Sequence, residues 1–255
     1  MAAPTTSIRL TRTALPTASR ALARPFPPAL RAYHSYEHDP TPPYPPTETA
    51  ILSDALTHLP THGFTHESLR LGARDAGYLD VSTQLFPKGA FELVRYHLVR
   101  ERLDLKERVQ FPDNGGKSLG MGSKIRTLVL ERLRANEPVV HRLQEALALM
   151  SLASNIPPSI AELARLSDEM WFLAGDTSVD TSWYTKRASL SSVYAATEVF
   201  MTQDKSAGFA ETEQFLDRRL ADLRTIGGAV GSVSQWVGYT GWSAINVLRS
   251  KGMRM

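Results

Sequence analysis

Beyond Pro46 the apolar residues of this chain recur at the three-and-four spacing of a helix, and no stretch alternates convincingly as a half-buried strand would. That periodicity predicts an all-α fold. Ile51, Leu52, Ala55, Leu56 and Leu59 make the stripe of a first helix ending near Gly63. Thr65 is placed to cap a second helix that runs to about Ala76 and closes at Gly77, and Asp80 to cap a third through about Phe86. A longer helix from about Gly89 to Val109 puts Phe91, Val94, Leu98, Leu105 and Val109 inward and Glu101, Arg102 and Lys106 outward, until Asp113-Asn-Gly-Gly116 breaks it. Further helices are predicted near 119–135, 137–152, 158–174, 180–202 and 209–224. Turn signals at Glu137-Pro138, Pro157-Pro158, Gly175 and Gly208 separate them.

The segment before this region reads differently. Arg9, Arg12, Arg20, Arg24 and Arg31 stand among Ala, Ser, Thr and Leu, and the first acidic residue is Glu37. A basic, acid-free leader of this kind is the composition of a mitochondrial transit peptide, expected over residues 1–33, with a mature chain beginning near residue 34. The chain has 29 Lys and Arg against 26 Asp and Glu, so removing those five Arg turns the formal charge from +3 to −2. The basic character therefore belongs to the leader and carries no implication of nucleic acid. Ten of the 16 prolines precede Thr47, and Pro40-Thr-Pro-Pro-Tyr-Pro-Pro46 predicts an extended linker over 34–46. A helical domain over 47–224 and a separate segment over 225–255 follow.

Several chemistries are excluded by what the chain lacks. With no Cys there is no disulfide framework, thiol nucleophile or cysteine-ligated metal. No run approaches the roughly 18 apolar residues of a membrane-spanning helix, so membrane contact would be peripheral. Gly115-Gly-Lys-Ser118 is not a phosphate loop, because Phe111 stands where the motif needs its first Gly and no strand precedes it. His58, His62 and His66 share a four-residue spacing, but Gly63 interrupts the helix that would align them. No Glu-x-x-His pair of the di-iron bundle type occurs. No acid-base-nucleophile set emerges either, so no catalytic residue, metal ligand or cofactor is expected.

A short three-helix head, one long helix and a bundle form the layout of TetR-type regulators. The helix that would enter a DNA groove, Asp80-Val-Ser-Thr-Gln-Leu-Phe86, carries no Lys or Arg, and Gly63–Lys88 balances Arg70, Arg74 and Lys88 against Glu67, Asp75 and Asp80. A neutral head lacks the electrostatic footprint for a duplex.

The densest constellation is Asp168–Arg187, where two Trp, three Asp, a Tyr and a Lys-Arg pair surround a helix break at Gly175, with Asp180 placed to cap the next helix. Each aromatic here could be core at a helix corner, yet Trp, Tyr and Arg together are the composition of interface hot spots. The order Asp168, Met170, Trp171, Ala174, Gly175, Asp176, Ser178, Asp180, Trp183, Tyr184, Lys186, Arg187 resembles the signature of the mitochondrial ubiquinone-biosynthesis accessory proteins that form the ninth member of the COQ series. Asn155-Ile156-Pro157 fits the same pattern, and the similarity in helix order extends from about Thr49 to the C-terminus.

The resemblance implies a TetR-like bundle around an apolar cavity for isoprenoid quinone intermediates and phospholipids, and a partner in the di-iron hydroxylase of the ubiquinone-biosynthetic complex. On the matching positions Trp183 and Tyr184 would be apolar anchors for that enzyme, with Trp171 and Met170 beside them and Asp168, Asp180 and Arg187 as polar rim. Candidate cavity residues are Leu128, Leu147, Met150 and Leu166. Homodimerisation is expected by analogy with the fold. From Arg224 onward no Asp or Glu occurs, while Ile226, Val230, Val233, Trp236, Val237 and Trp242 supply apolar bulk and Arg249 and Lys251 positive charge. This suits an interfacial helix on the matrix face of the inner membrane, each basic residue contributing about 1 kcal/mol near an anionic surface. Gly227, Gly228, Gly231, Gly238 and Gly241 weaken that helix away from the membrane. The competing readings are a ligand-sensing DNA-binding regulator, opposed by the neutral head, and a lipid-modifying enzyme, opposed by the missing nucleophile or ligand set.

Overall fold

The computed structural model describes residues 44–111, 119–178 and 182–226. Among them there is no strand, and the all-α expectation holds. The helices are α1 (Pro46–Thr57), α2 (Leu59–His62), α3 (His66–Asp75), α4 (Ala90–Leu103), α5 (Leu105–Arg108), α6 (Met121–Arg134), α7 (Leu143–Met150), α8 (Ile156–Ala174), α9 (Ser182–Met201) and α10 (Ala210–Ile226). Short 3-10 segments occupy Asp80–Leu85, Glu137–Arg142 and Ala207–Phe209.

Local chemistry accounts for most ends. Pro46 opens α1 and Pro157 lies in the first turn of α8, positions where the missing N–H leaves no intrahelical bond unmade. Thr65 caps α3, its hydroxyl accepting from the Ser68 N–H at 3.4 Å. Gly175 closes α8 in the left-handed region at φ 90°. There its N–H bonds the Phe172 carbonyl at 2.9 Å and the Asp176 N–H reaches back to Trp171 at 3.0 Å, the paired bonds of a Schellman turn.

Five expectations need correction. The fold begins before the end of the proline tract: Tyr44 is buried, its ring edge-on to Tyr96 at 5.3 Å, and Pro46 is already helical. The helix expected over 89–109 breaks at Asp104, and the short α5 then carries Leu105 into a second core. Glu101 and Arg102 do not face outward; both are buried, Arg102 donating to Glu162 of α8 at 2.6 Å and Glu101 pairing with Arg108 at 2.6 Å. Residues 137–142 of the helix expected over 137–152 form a 3-10 segment, and the α-helix α7 begins only at Leu143. Asp80–Leu85 is likewise 3-10, and Leu79, not Asp80, precedes it as the cap. Asp80 instead accepts from Arg74 through both oxygens at 2.6 Å and also meets Arg70, which bonds Glu67. The head's two arginines are thus engaged internally.

Two apolar clusters build the core. One joins α1, α3 and α4 to Val139, Leu143 and Ala146, and the other joins α5 and α6 to α8, α9 and α10. In the first, α1 and α3 approach so closely at Gly72 that a Cβ there would lie 2.4 Å from the Ala55 nitrogen. Leu98 and Met150 border the first cluster and Leu163 the second, and these three residues meet around a cavity.

Candidate functional site: an apolar cavity and an aromatic corner

The cavity has a volume of about 230 Å³ and lies among α4, α6, α7, α8 and α9. Its wall is mainly apolar, with Leu98, Leu147, Met150, Leu163, Leu166 and Val199 supplied by all of these helices but α6. Ile160 lines it while remaining 60% exposed, so the cavity opens to the surface on the α8 side. Leu152 and Ile156, close by in sequence, are also exposed, which leaves an apolar patch near the opening. Of the four residues singled out from sequence, Leu147, Met150 and Leu166 line this cavity. Leu128 does not; it is fully buried in solid core on α6.

The polar side of the wall was not anticipated. Arg132 of α6 is fully buried, its Nη1 donating to Asn136 Oδ1 at 2.8 Å and its guanidinium 5.8 Å from the Tyr194 ring centre. Asn136 Nδ2 and the Tyr194 hydroxyl both donate to Glu198 Oε1 at 2.8 Å. His97 closes the network at 3.1 Å from Asn136 Oδ1, and because that oxygen only accepts, the ring Nε2 carries the proton. Burial, reinforced by the Arg132 charge, pushes His97 down to about 3, so it is neutral. Burial also pushes the Tyr194 hydroxyl well up, keeping it a donor. A sequence signal existed: Arg132 falls four residues after Leu128 and three after Val129, on the apolar stripe of α6.

The second constellation is the corner between α8 and α9. Arg187 bonds Asp168, lies 3.6 Å from Asp176, and stacks on the Trp183 ring at 3.9 Å. Lys186 donates to Asp176 at 2.9 Å and to Ser178 at 3.1 Å, and its backbone carbonyl accepts from the Trp171 indole at 3.2 Å. Burial works to raise the Asp176 carboxyl, but hydrogen bonds from Ser178 and Lys186 and the nearby Lys186 and Arg187 charges outweigh it and hold the group low. These contacts lock the two helices together. Met170 is fully buried and Asp168 nearly so, which places both behind the surface; Trp171 is half-buried. What the corner presents outward is Tyr184, 72% exposed, edge-on to the half-buried Trp183 at 4.8 Å. Asp180, the loop at 115–118 and the membrane residues Val230, Val233, Trp236, Val237, Trp242, Arg249 and Lys251 lie outside the described residues. The backbone of Ile226 ends α10.

Among the described residues no helix is long and apolar enough to cross a membrane, and no group of three or more His, Asp or Glu is placed to hold a metal ion. Fold and site together define an all-α protein with an open apolar cavity and an aromatic corner locked by ion pairs. A model of the COQ9 family matches residues 156–227, which include that corner. The chain is 32% identical over 227 residues to the mitochondrial ubiquinone biosynthesis protein coq9 of Schizosaccharomyces pombe, covering 88% of each chain. It is 36% identical over 183 residues to mitochondrial ubiquinone biosynthesis protein COQ9 of Rattus norvegicus and of Homo sapiens, which spans 69% of this chain and 58% and 57% of theirs. The chain belongs to the COQ9 family.

Proposed function

We propose that this protein serves mitochondrial ubiquinone biosynthesis as a non-catalytic lipid-binding accessory protein that presents isoprenoid quinone intermediates to the pathway's di-iron hydroxylase. The observation that carries this reading is the open cavity of about 230 Å³ with its apolar lining. A void of about 150 Å³ suffices for benzene, whereas whole ligand pockets span roughly 300–1,000 Å³. One ring or a short isoprenoid segment fits inside, and the rest of a long amphiphile leaves past Ile160. Such a lipid is nearly insoluble in water, so transfer from bilayer to enzyme requires a shielded route. Trp183 and Tyr184 serve as anchors for the hydroxylase, as aromatic hot spots do. Phospholipid is the second class of cavity occupant. The segment beyond residue 224 rests on the matrix face of the inner membrane, and the protein acts as a homodimer. The family relationship and the names of the relatives support the pathway assignment.

The test is mass spectrometry of lipids extracted from the purified chain beside an Ala195→Trp variant, since Ala195 lines the cavity and an indole there fills it. Stoichiometric isoprenoid or phospholipid in the natural chain, lost in the variant, is the expected result. A lipid-free natural chain, or equal lipid in both, refutes the reading.

A further inference from the structure

Exposed apolar side chains gather at one end of the head, far in character from the charged surface a DNA reader would need. Tyr78, Leu79, Val81 and Leu85 are 39%, 76%, 59% and 49% exposed within the span 78–85. Apolar residues exposed singly are ordinary, whereas a contiguous group marks a contact surface. The 3-10 segment Asp80–Leu85 explains how they come together. At three residues per turn, side chains i and i+3 lie one above the other, so the segment presents three ridges. Asp80 and Thr83 form the inward ridge: Thr83 is buried, and Phe86 just beyond it belongs to the first core cluster. Val81 with Gln84 and Ser82 with Leu85 form the other two, and Leu79 stands beside them as the cap.

This knuckle keeps its shape without a partner. Gly77 turns the chain out of α3 at φ 80°, the Tyr78 N–H bonds the Ala73 carbonyl at 2.8 Å, and Phe86 anchors the far end. The same contacts settle its charge. Asp80 accepts from Arg74 at 2.6 Å and meets Arg70, Arg70 bonds Glu67, and Asp75 lies 2.6 Å from His58 Nε2. Each acidic side chain of the head is thus matched by a cation or a ring nitrogen, so none is left to repel an anionic surface. Lys88, at the end of the segment, is exposed beside the Phe91 ring at 5.3 Å. The composition separates the two classes of occupant. Protein hot spots favour Trp, Tyr and Arg and disfavour Leu, Val, Ser and Thr, which are the residues of these ridges. Aliphatic bulk with a Tyr at its edge and a Lys beyond is what a lipid interface accepts.

We propose that the knuckle over residues 78–88 is a membrane-contact surface, which places Leu79, Val81 and Leu85 in the headgroup–acyl boundary of a bilayer, Tyr78 at its edge and Lys88 towards lipid phosphate. It is a second contact, separate from the one proposed above for the segment beyond residue 224, and the vestigial reading segment of the head takes a bilayer in place of a duplex.

The chain has no Cys, so Val81→Cys carries a single nitrobenzoxadiazole dye at an exposed position. The labelled full chain is mixed with vesicles of phosphatidylcholine and a minor share of cardiolipin, and dye emission is read alongside sedimentation of the vesicles. The emission should shift to the blue and be quenched by lipids brominated on their acyl chains. Adding Leu79→Ser and Leu85→Ser should raise the lipid concentration needed for the shift by about tenfold or more, the effect of withdrawing two aliphatic side chains from the boundary. An unchanged shift in that background overturns the proposal. A dye that stays in water while the chain sediments overturns it too and leaves the contact beyond residue 224 standing, and a chain that does not sediment overturns both. A dye already shifted without vesicles makes another part of this chain the occupant, and one that shifts with protein concentration alone makes it a second copy; either result overturns the membrane assignment.

Discussion

Acidification from pH 7 to 5 should destabilise this protein by about 2 kcal/mol through His97 alone, and His97→Gln should abolish that part of the loss. The unfolded imidazole titrates near the ordinary histidine value of about 6.5, whereas the buried one is pushed down to about 3 by desolvation and the Arg132 charge. The folded value is depressed, so the folded state refuses a proton that the unfolded state accepts. Stability is therefore complete above the unfolded value and declines as pH falls between about 6.5 and 3, with a limiting slope of about 1.4 kcal/mol per pH unit. From pH 7 to 5 that integrates to about 2 kcal/mol, and ordinary exposed carboxylates contribute little over most of this span because their unfolded values lie near 4. Glutamine retains an N–H for Asn136 Oδ1, which His97 now bonds at 3.1 Å, without a titrating group. Urea denaturation of both proteins at pH 7 and pH 5 measures the effect as the difference between their losses. If natural chain and variant lose equal stability, His97 is either accessible to protons in the folded state or not held neutral, and the account of the network is wrong.

Three further substitutions probe the helix packing and the aromatic corner. Gly72→Ala places a methyl 2.4 Å from the Ala55 nitrogen and 2.5 Å from its Cβ, forcing α1 from α3. The overpacking cost of about 1–3 kcal/mol should exceed the gain of about 1 kcal/mol in helix propensity, and a lowered urea midpoint checks this. Asp168→Ala takes the bonded carboxylate from Arg187, whose side chain is 11% exposed, and leaves it the more distant Asp176 beside the Trp183 carbonyl and ring; destabilisation of about 3 kcal/mol is expected in thermal or urea melts. Tyr184→Ala, at a 72% exposed side chain, should by contrast change stability by less than about 0.5 kcal/mol, so the pair of melts separates the buried lock of the corner from its presented face.

Much of the architecture was legible from short-range signals. The Thr65 cap and the helix stop at Gly175 depend on backbone chemistry within a few residues, which periodicity and capping rules capture, while the turn expected at Pro157-Pro158 is the first turn of α8 itself. The aromatic corner was equally visible as a cluster, because Trp, Tyr and paired charges near one break stand out in any order of reading. Its internal division was not visible. Asp168 and Arg187 looked like a polar rim but face each other across the helix pair, a relation between residues 19 apart that only the packing of α8 on α9 creates.

The amino-acid sequence by itself determined an all-α chain, the places where most of its helices start and stop, and the family signature around Gly175, since each rests on local conformational preference or on residue order. Tertiary structure alone decided which polar groups are interior. Arg132 lies on the apolar stripe of α6 beside Asn136 four residues on, but the approach of Tyr194 and Glu198 from α9 is what makes it a buried charge in the interior. Glu101 and Arg102, read as outward, are likewise turned inside by partners on α5 and α8. The physical reason is the same in both cases: whether a charge lies in water or in a low-dielectric interior depends on neighbours brought together by the fold, and helix periodicity records only the helix's own faces.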